Sequence, residues 1–285
     1  MKLHAYAKLN LSLNVVGKRG NMHEIDSVMT SVDVFDEITL QSRNDKNVTV
    51  CGVDGVPDER NTAYRAAVRF VESFDVCGVD VQVVKHIPFG AGMGGSSADA
   101  AAVLYGMAVL NNIATDSTKL REIAVAVGSD VWYMTFGGYA RVGGCGEEIN
   151  RFAVKKPTYY ALTTFDFPCN TAVVYGNYDE VGGETCDNEL IVSCLSDGHP
   201  CKAYGKMRNG LQRAVTCMYD YAEQYMFFTK SRDYLPIMTG SGSAFFIPFE
   251  EYKSAAEACE TLCRAGFKTT VCRDVPCGVD IVDEN

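Results

Sequence analysis

The sequence predicts an α+β fold in which mostly antiparallel sheets are packed with helices. Segments of strand-type alternation are mixed with helical segments along the 285 residues, without a regular strand–helix–strand order. Hydrophobic residues make up 47% and charged residues 22%, which is the composition of a globular protein with a substantial core. The length fits one large domain or two intimately packed ones. We place a boundary near residue 155 and expect domains at 1–155 and 156–285.

The first part of the chain contains segments of both types. Residues 9–15 alternate apolar and polar side chains, as a half-buried strand does, and Asn61 stands where it can cap a following helix. We predict further strands at 31–40, 47–51 and 79–84 and helices at 62–74, 98–107 and 117–127. Short strands are expected from there to residue 155.

The second part has a different order of elements. Residues 237–246 combine glycines and serines with an apolar end, which predicts a loop that leads into a strand. We predict strands at 159–164 and 269–272 and helices at 189–195, 202–224 and 251–265.

Charge and hydropathy exclude several classes of partner. The formal net charge is −10, and no Lys/Arg cluster forms the basic face that a nucleic-acid binder shows. No apolar run approaches the roughly 18–20 residues of a membrane span. Residues 1–8 carry polar side chains at nearly every second position, unlike the apolar core of a secretory signal. We therefore expect a cytoplasmic protein that binds neither nucleic acid nor membrane.

Twelve cysteines are spread along the chain. Zinc binding by Cys259, Cys263, Cys272 and Cys277 is conceivable, but their spacing matches no recognised finger or ribbon. Buried free thiols that pack as small hydrophobes are the simpler interpretation. Without an export signal, we expect no disulfides.

The strongest local signal is a glycine–serine loop at residues 90–97 that runs into a strongly helical segment. Such a loop lets a helix point its free N–H groups and positive dipole end at a phosphate. A Walker A loop is excluded, because no Gly-Lys-Ser/Thr ends the segment. A dinucleotide fingerprint fits formally through Gly90, Gly92 and Gly95, although the loop does not open a βαβ series. A plain turn before a structural helix is the remaining alternative.

Three further features, a second loop and two charged residues, are ambiguous when each is considered alone. A second glycine–serine loop, Thr239 to Ser243, follows about 140 residues later and could face the same phosphates from the other side. Lys8 lies in a strand, where it either faces solvent or lines a cleft. Asp130 precedes apolar and aromatic residues, where a carboxylate either caps a turn or needs a charged partner.

Three segments in chain order together resemble the GHMP kinases. They are residues 7–10 (Ala-Lys-Leu-Asn), the loop at 88–99 and the loop at 239–243. Residues 17–23, 32–38, 128–131 and 143–148 extend the resemblance over nearly the whole chain, toward members that act on a cytidine diphosphate polyol. It implies a two-domain GHMP kinase fold with the active site in the cleft between the domains. It also implies ATP-dependent phosphorylation of a polyol hydroxyl in isoprenoid precursor synthesis by the non-mevalonate route, and a monomer or weak homodimer.

The resemblance implies roles for single residues. Asp130 would be the general base, and Lys8 would keep it ionised and stabilise the developing alkoxide. Mg²⁺ would bridge the ATP phosphates, with Ser97 as its one candidate protein ligand. The residues implied in ATP binding are Gly90, Ala91, Gly92, Met93, Gly94, Gly95, Ser96, Ser97, Asn61 and Lys85. The residues implied in substrate binding are Asn10, Met22, His23, Tyr175, Gly240 and Ser241. Among these, His23 would meet the cytosine edge and Tyr175 would stack on its face.

The sequence departs from the family pattern at several positions. Met22 stands where the family has a tyrosine, Trp132 where it often has a proline, and Gly210 and Gln212 where it has acids. Alternative functions are a GHMP kinase for homoserine, a sugar or a mevalonate-like alcohol, and a catalytically silent nucleotide-binding protein. A nicotinamide-dependent oxidoreductase is a more distant alternative. Lys8 and Asp130 argue against a silent protein, since a decayed site has no physical reason to keep this charged pair.

Overall fold

A long antiparallel hairpin forms the centre of the fold. In the computed structural model, which describes residues 1–53 and 55–282, it consists of β1 (Lys2–Arg19) and β2 (Met22–Ser42). The two strands pair along nearly their whole length, with three shifts of register, one of which leaves Leu11 unpaired as a bulge. Because the middle of β1 is covered on both faces, residues 7–14 are all buried.

Other strands extend this hairpin on both sides. They are β3 (Val48–Cys51), β4 (Val79–Val84), β5 (Ala140–Gly144), β6 (Glu148–Arg151), β7 (Tyr159–Thr164), β8 (Ile237–Met238), β9 (Phe245–Phe249), β10 (Lys268–Val275) and β11 (Val279–Ile281). The main path runs β11-β1-β2-β10-β7-β9-β8, and β4 and β5 also pair with β2. Among the described strands, β3 and β4 form a parallel pair and the other ladders are antiparallel.

Helices pack against these strands. They are α1 (Thr62–Phe74), α2 (Gly95–Leu110), α3 (Thr118–Val127), α4 (Val131–Phe136), α5 (Thr171–Val181), α6 (Asn188–Ser196), α7 (Pro200–Tyr204), α8 (Gln212–Thr216), α9 (Asp220–Lys230) and α10 (Tyr252–Arg264). In α1, the Asn61 side chain accepts hydrogen bonds from the N–H groups of Ala63 and Tyr64 and so caps the helix. In α2, an alanine-rich sequence that is apolar all round makes a buried central helix, which contacts α1, α4, β1 and β2.

Most of the predicted elements are confirmed, and so is the α+β class. The prediction of a single helix at 202–224 is wrong, because α7, α8 and α9 replace it. Gly205 ends α7, and the Gly210 N–H donates to the carbonyl of Leu13 on β1 at 2.7 Å. This contact with a distant strand outweighs the local helical preference. Short strands alone are predicted after residue 127, but α4 comes first, and α5 is not among the predicted elements.

The predicted boundary near residue 155 falls between β6 and β7. The C-terminal part nevertheless returns to the first sheet, because β11 pairs with β1 and the end of β10 pairs with β2. The larger hydrophobic core likewise contains residues from both parts, among them Leu9 and Tyr160. The division into two domains therefore stays a prediction.

Candidate active site

The residues predicted to form the site line one cleft of about 1140 Å³. All eighteen named from the sequence lie on its wall: Lys8, Asn10, Met22, His23, Asn61, Lys85, Gly90, Ala91, Gly92, Met93, Gly94, Gly95, Ser96, Ser97, Asp130, Tyr175, Gly240 and Ser241. They come from the central hairpin, from the loops before α2 and α4, from α5 and from the turn between β8 and β9. The fold thus gathers residues that are as far apart as 233 positions, although their roles remain predictions.

The two glycine–serine loops are packed directly against each other. The Ala244 N–H donates to the Ala91 carbonyl at 3.1 Å, and the Thr239 hydroxyl donates to the Gly92 carbonyl at 3.3 Å. The Lys8 N–H donates to the Met93 carbonyl at 3.0 Å, so β1 is part of the same junction. The sequence-based expectation that the loops face one site is in accord with this geometry.

The first turn of α2 leaves N–H groups for a ligand. Its N-cap is Gly94, with a left-handed φ of 74° and no side chain to cap the helix. The first intrahelical bond joins the Ala98 N–H to the Gly94 carbonyl at 2.8 Å. The N–H groups of Gly95, Ser96 and Ser97 therefore lack intrahelical acceptors, and the helix dipole adds positive potential at the same point. This arrangement is suited to an anion such as a phosphate chain.

Lys8 and Asp130 face each other beside these loops. The Lys8 ammonium lies 3.7 Å from a carboxylate oxygen of Asp130, and it also donates to the side-chain oxygen of Asn10. Lys8 is only 4% exposed, whereas Asp130 borders the open cleft. Burial lowers the pKa of Lys8, and the charge of Asp130 partly offsets this effect. A carboxylate that is accessible to a ligand and held beside a buried cation can accept a proton while the cation stabilises negative charge.

Asn10 holds Lys8 in place. Its amide nitrogen donates to the Ser27 hydroxyl at 2.8 Å, and its backbone N–H donates to the Thr239 hydroxyl at 3.0 Å. Its side-chain oxygen also accepts from Lys8, so Asn10 makes three hydrogen bonds within the protein. These contacts let Asn10 support Lys8, and its contact with a substrate stays a prediction.

Lys85 lies in a buried cluster with two carboxylates. Its ammonium contacts Asp36 on β2 and lies 2.7 Å from Asp99 on α2. Burial raises the pKa of Asp99 to about 7 although Lys85 opposes this, and the second oxygen of Asp99 has no hydrogen-bond partner among the described residues. Burial acts to lower the pKa of Lys85, but the carboxylates of Asp99 and Asp36 raise it above its usual value. The contacts of Lys85 thus join β2 to the first turns of α2, and they support the glycine–serine loop that precedes this helix.

His23 and Tyr175 form one end of the cleft. Their rings are stacked, with centroids 4.6 Å apart and an angle of 30° between the planes. We had predicted that His23 meets the edge of a base and Tyr175 its face, and here the two rings also contact each other. Met22, beside them at the tip of the hairpin, is 51% exposed.

Two neighbours of the site, Thr239 of the predicted second loop and Asn209, are absent from the residues predicted to bind ATP or substrate. Thr239 contacts both Asn10 and Gly92, and the Asn209 amide donates to the carbonyls of Met238 and Gly240 at 2.7 and 2.9 Å. Asn209 thereby fixes the second loop. The sequence signal for Asn209 is its place at the start of the segment 209–212, which resembles the family pattern at this asparagine.

In the part of the chain that the structure describes, no group of three or more His, Cys, Asp or Glu side chains is arranged to hold a metal ion. Cys259, Cys263, Cys272 and Cys277 therefore form no such group. The twelve cysteines are free thiols. Within residues 1–53 and 55–282, no helix combines the length and apolar character needed to cross a membrane.

Comparison with known proteins gives consistent results. The sequence profile described as "GHMP kinases N terminal domain" matches residues 61–138. A 4-diphosphocytidyl-2-C-methyl-D-erythritol kinase from Clostridium perfringens is 34% identical over 92% of this chain and 93% of its own length. A protein of the same name from Clostridium tetani is 33% identical over 91% of this chain and 94% of its own length.

Solved structures show the same fold. A crystal structure of 4-(cytidine 5'-diphospho)-2C-methyl-D-erythritol kinase has a TM-score of 0.78 and 26% identity, and covers 96% of this chain and 100% of its own. A homoserine kinase from Cytophaga hutchinsonii has a TM-score of 0.73 at 17% identity, over 99% and 97% of the two chains. At this identity, the similarity to the homoserine kinase shows a shared fold and nothing about function. Taken with the sequence relatives, these findings make the chain a small-molecule kinase of the GHMP type that belongs to the family of the 4-diphosphocytidyl-2-C-methyl-D-erythritol kinases.

Proposed function

We propose that this kinase transfers the γ-phosphate of ATP to the 2-hydroxyl of 4-diphosphocytidyl-2-C-methyl-D-erythritol, a step of isoprenoid precursor synthesis by the non-mevalonate route. The observation that carries the proposal is the Lys8–Asp130 pair, 3.7 Å apart, at the junction of two glycine–serine loops. The names of relatives that align with more than nine-tenths of the chain support the choice of acceptor.

The phosphates of ATP fit the first loop and the start of α2. The unpaired N–H groups of Gly95, Ser96 and Ser97 and the dipole of a 16-residue helix favour an anion here. A Cβ on Gly92 would collide with the backbone of the second loop, so glycine at this position lets the two loops pack closely beside the proposed phosphate site. Asn61 and Lys85 support this wall by capping α1 and by joining β2 to α2.

Mg²⁺ would be held at the start of α2 by Ser97, which lies near the turn that carries Asp130. The Ser97 hydroxyl lies 3.9 Å from the position that a Cβ on Gly128 would occupy, two residues before Asp130. Hydroxyl and carboxylate oxygens together with phosphate oxygens are the donors that Mg²⁺ prefers. When bound, the ion would neutralise charge on the transferred phosphoryl group. Ser97 is the protein group that we expect to hold it.

The proton of the acceptor hydroxyl goes to Asp130. Its carboxylate borders the cleft and lies 3.7 Å from the buried ammonium of Lys8. Lys8 would then stabilise the alkoxide as it attacks. Asp130 is held by the start of α4, whose residues 131–135 are buried, so the base keeps its position during the reaction.

The cytidine end of the acceptor binds at the His23–Tyr175 pair. The two stacked rings offer an aromatic surface for a planar base, and His23 offers a ring nitrogen for its edge. Met22, which is 51% exposed, would contribute apolar contact to the base. Gly240 and Ser241 also line the cleft.

Release of ADP with Mg-ATP tests the proposal. The acceptors are 4-diphosphocytidyl-2-C-methyl-D-erythritol, homoserine, mevalonate and galactose, each assayed alone. We expect turnover of the cytidine acceptor and background rates with the other three. Turnover of homoserine, mevalonate or galactose in its place would refute the acceptor while leaving the kinase chemistry intact. ADP release with none of the four would refute the proposal as stated.

A further inference from the structure

Four side chains meet where the tip of the hairpin touches α5. Lys18 on β1 lies directly opposite His23 on β2 in the strand register. Tyr175 and Asp179 are four residues apart on α5, so they share one face of that helix. All four line the cleft at the end where the cytidine moiety is proposed to bind.

Asp179 uses both carboxylate oxygens in this cluster. One lies 2.8 Å from Nε2 of His23, and the other lies 2.7 Å from the Lys18 ammonium. The His23 hydrogen bond and, after it, the Lys18 contact hold the pKa of Asp179 below its usual range, so this side chain is ionised at neutral pH. With its ring stacked on Tyr175, the His23 side chain is only 11% exposed. The stacking on Tyr175 fixes the plane of the imidazole ring, and the hydrogen bond to Asp179 fixes which edge of the ring faces the helix.

An ionised carboxylate accepts hydrogen bonds and cannot donate them, so the nitrogen of His23 that faces Asp179 carries hydrogen. The hydrogen bond at one ring nitrogen sets the role of the other. Nδ1 has no hydrogen-bond partner in the described part of the chain, and it is therefore the nitrogen available to a ligand. Removing the Asp179 carboxylate frees the ring to rotate and to exchange the roles of its two nitrogens.

We propose that Asp179 is a positioning residue for recognition of the acceptor's nucleobase. It holds His23 against Tyr175 with Nδ1 presented to the hydrogen-bonding edge of a cytosine-like base. The inference rests on the proposed function, because it assumes that the acceptor carries such a base. Lys18 gives Asp179 a second partner but is half exposed, and an exposed ion pair of this kind contributes little by itself.

Steady-state kinetics of Asp179→Ala and Asp179→Asn test this inference. We expect the KM for 4-diphosphocytidyl-2-C-methyl-D-erythritol to rise about tenfold, the effect of losing one charge-assisted hydrogen bond. The kcat and the KM for ATP should stay unchanged, because the side-chain contacts of Asp179 in the described part of the chain are with Lys18 and His23 and not with Lys8 or Asp130. A uridine diphosphate analogue of the acceptor provides a second measurement, and the preference of the wild type for cytosine over uracil should fall in both variants.

The matched control is Glu180→Gln, which removes a neighbouring exposed acid of α5 for which no ion pair is found among the described residues. It should leave both KM values unchanged. Lys18→Met removes the other partner of Asp179 and should raise the acceptor KM less than Asp179→Ala does. Circular dichroism and thermal unfolding establish that each variant is folded.

Three outcomes would overturn the inference. The first is an unchanged acceptor KM and base preference in folded Asp179 variants. The second is an equal rise in the KM for ATP, which would mean a general disturbance of the cleft. The third is a rise in the acceptor KM of Lys18→Met as large as that of Asp179→Ala. This result would mean that both variants act by loosening the contact between the hairpin tip and α5. Failure of the wild type to phosphorylate the cytidine acceptor would instead refute the proposed function, and the inference with it.

Discussion

Replacing Gly92 by alanine is a sensitive perturbation of the proposed ATP site. Gly92 has a left-handed φ of 75° and lies where the two glycine–serine loops touch. A Cβ there would lie 2.2 Å from the Thr239 carbonyl oxygen and 2.9 Å from that of Gly242. Both obstacles are backbone atoms, so no side-chain rotation can relieve the clash.

The expected magnitude follows from this geometry. The left-handed conformation alone costs alanine about 1–2 kcal/mol. The loops must also separate by roughly 1 Å to restore ordinary contact, and a displacement of that size at a reacting centre typically reduces the rate about 10²-fold. We therefore expect Gly92→Ala to lower Tm and to reduce kcat/KM for ATP by about two orders of magnitude.

Gly266→Ala is the matched control. Gly266 follows the end of α10 and has a positive φ of 90°, but a Cβ there would have no atom within 4 Å. This variant should show only the conformational cost, about 1–2 kcal/mol, and unchanged kinetics. Thermal unfolding and ATP saturation kinetics on both variants separate the two contributions. Equal Tm and equal kcat/KM in Gly92→Ala and Gly266→Ala would refute the packing of the loops described above.

Three further predictions concern single side chains. Lys8→Met should reduce kcat by about 10²–10³ because the charge beside Asp130 is lost, as rapid-quench assays would measure, and a wild-type rate would contradict this. Tyr175→Ala should raise the KM for the cytidine acceptor with little change in the KM for ATP, whereas an unchanged acceptor KM would mean that the base binds elsewhere. Because the pKa of Asp99 is raised in the folded state to about 7, the native protein binds more protons than the unfolded chain, so stability should fall as pH rises from about 4 to 7. Urea unfolding should show this loss, a few kcal/mol at most, in the wild type and not in Asp99→Asn, and parallel pH profiles would contradict it.

Local chemistry explains which parts of the site were predictable. The density of glycine and serine at residues 90–97, followed by alanines, indicates a phosphate loop before a helix. Asn61 before an amphipathic segment indicates a cap, and the structure confirms it. Lys8 and Asp130 were each ambiguous alone, since a strand lysine or a turn aspartate is usually a surface residue. Only in combination with the two glycine–serine loops do Lys8 and Asp130 indicate a catalytic pair.

The missed features depend on contacts between distant segments. Asp36 and Asp99 are 63 residues apart, and only the folded sheet brings both to Lys85. Asp179 looks like an ordinary exposed acid of a helix, because its partners lie on the hairpin more than 150 residues earlier. The helix break at Gly210 likewise arises from its hydrogen bond to β1. No short segment of the sequence contains both partners of any of these contacts, so none of the contacts could be predicted from local sequence.

The catalytic role of Asp130 is tested most directly by single-turnover phosphoryl transfer. The experiment compares the wild type with Asp130→Asn at saturating Mg-ATP and 4-diphosphocytidyl-2-C-methyl-D-erythritol, with ADP affinity measured by calorimetry on both. Because the amide cannot accept the hydroxyl proton, the variant should transfer phosphate about 10²–10⁴-fold more slowly while its ADP affinity stays unchanged. Near-normal transfer by Asp130→Asn would contradict the assignment of Asp130 as the base and, with it, the mechanism built on the Lys8–Asp130 pair.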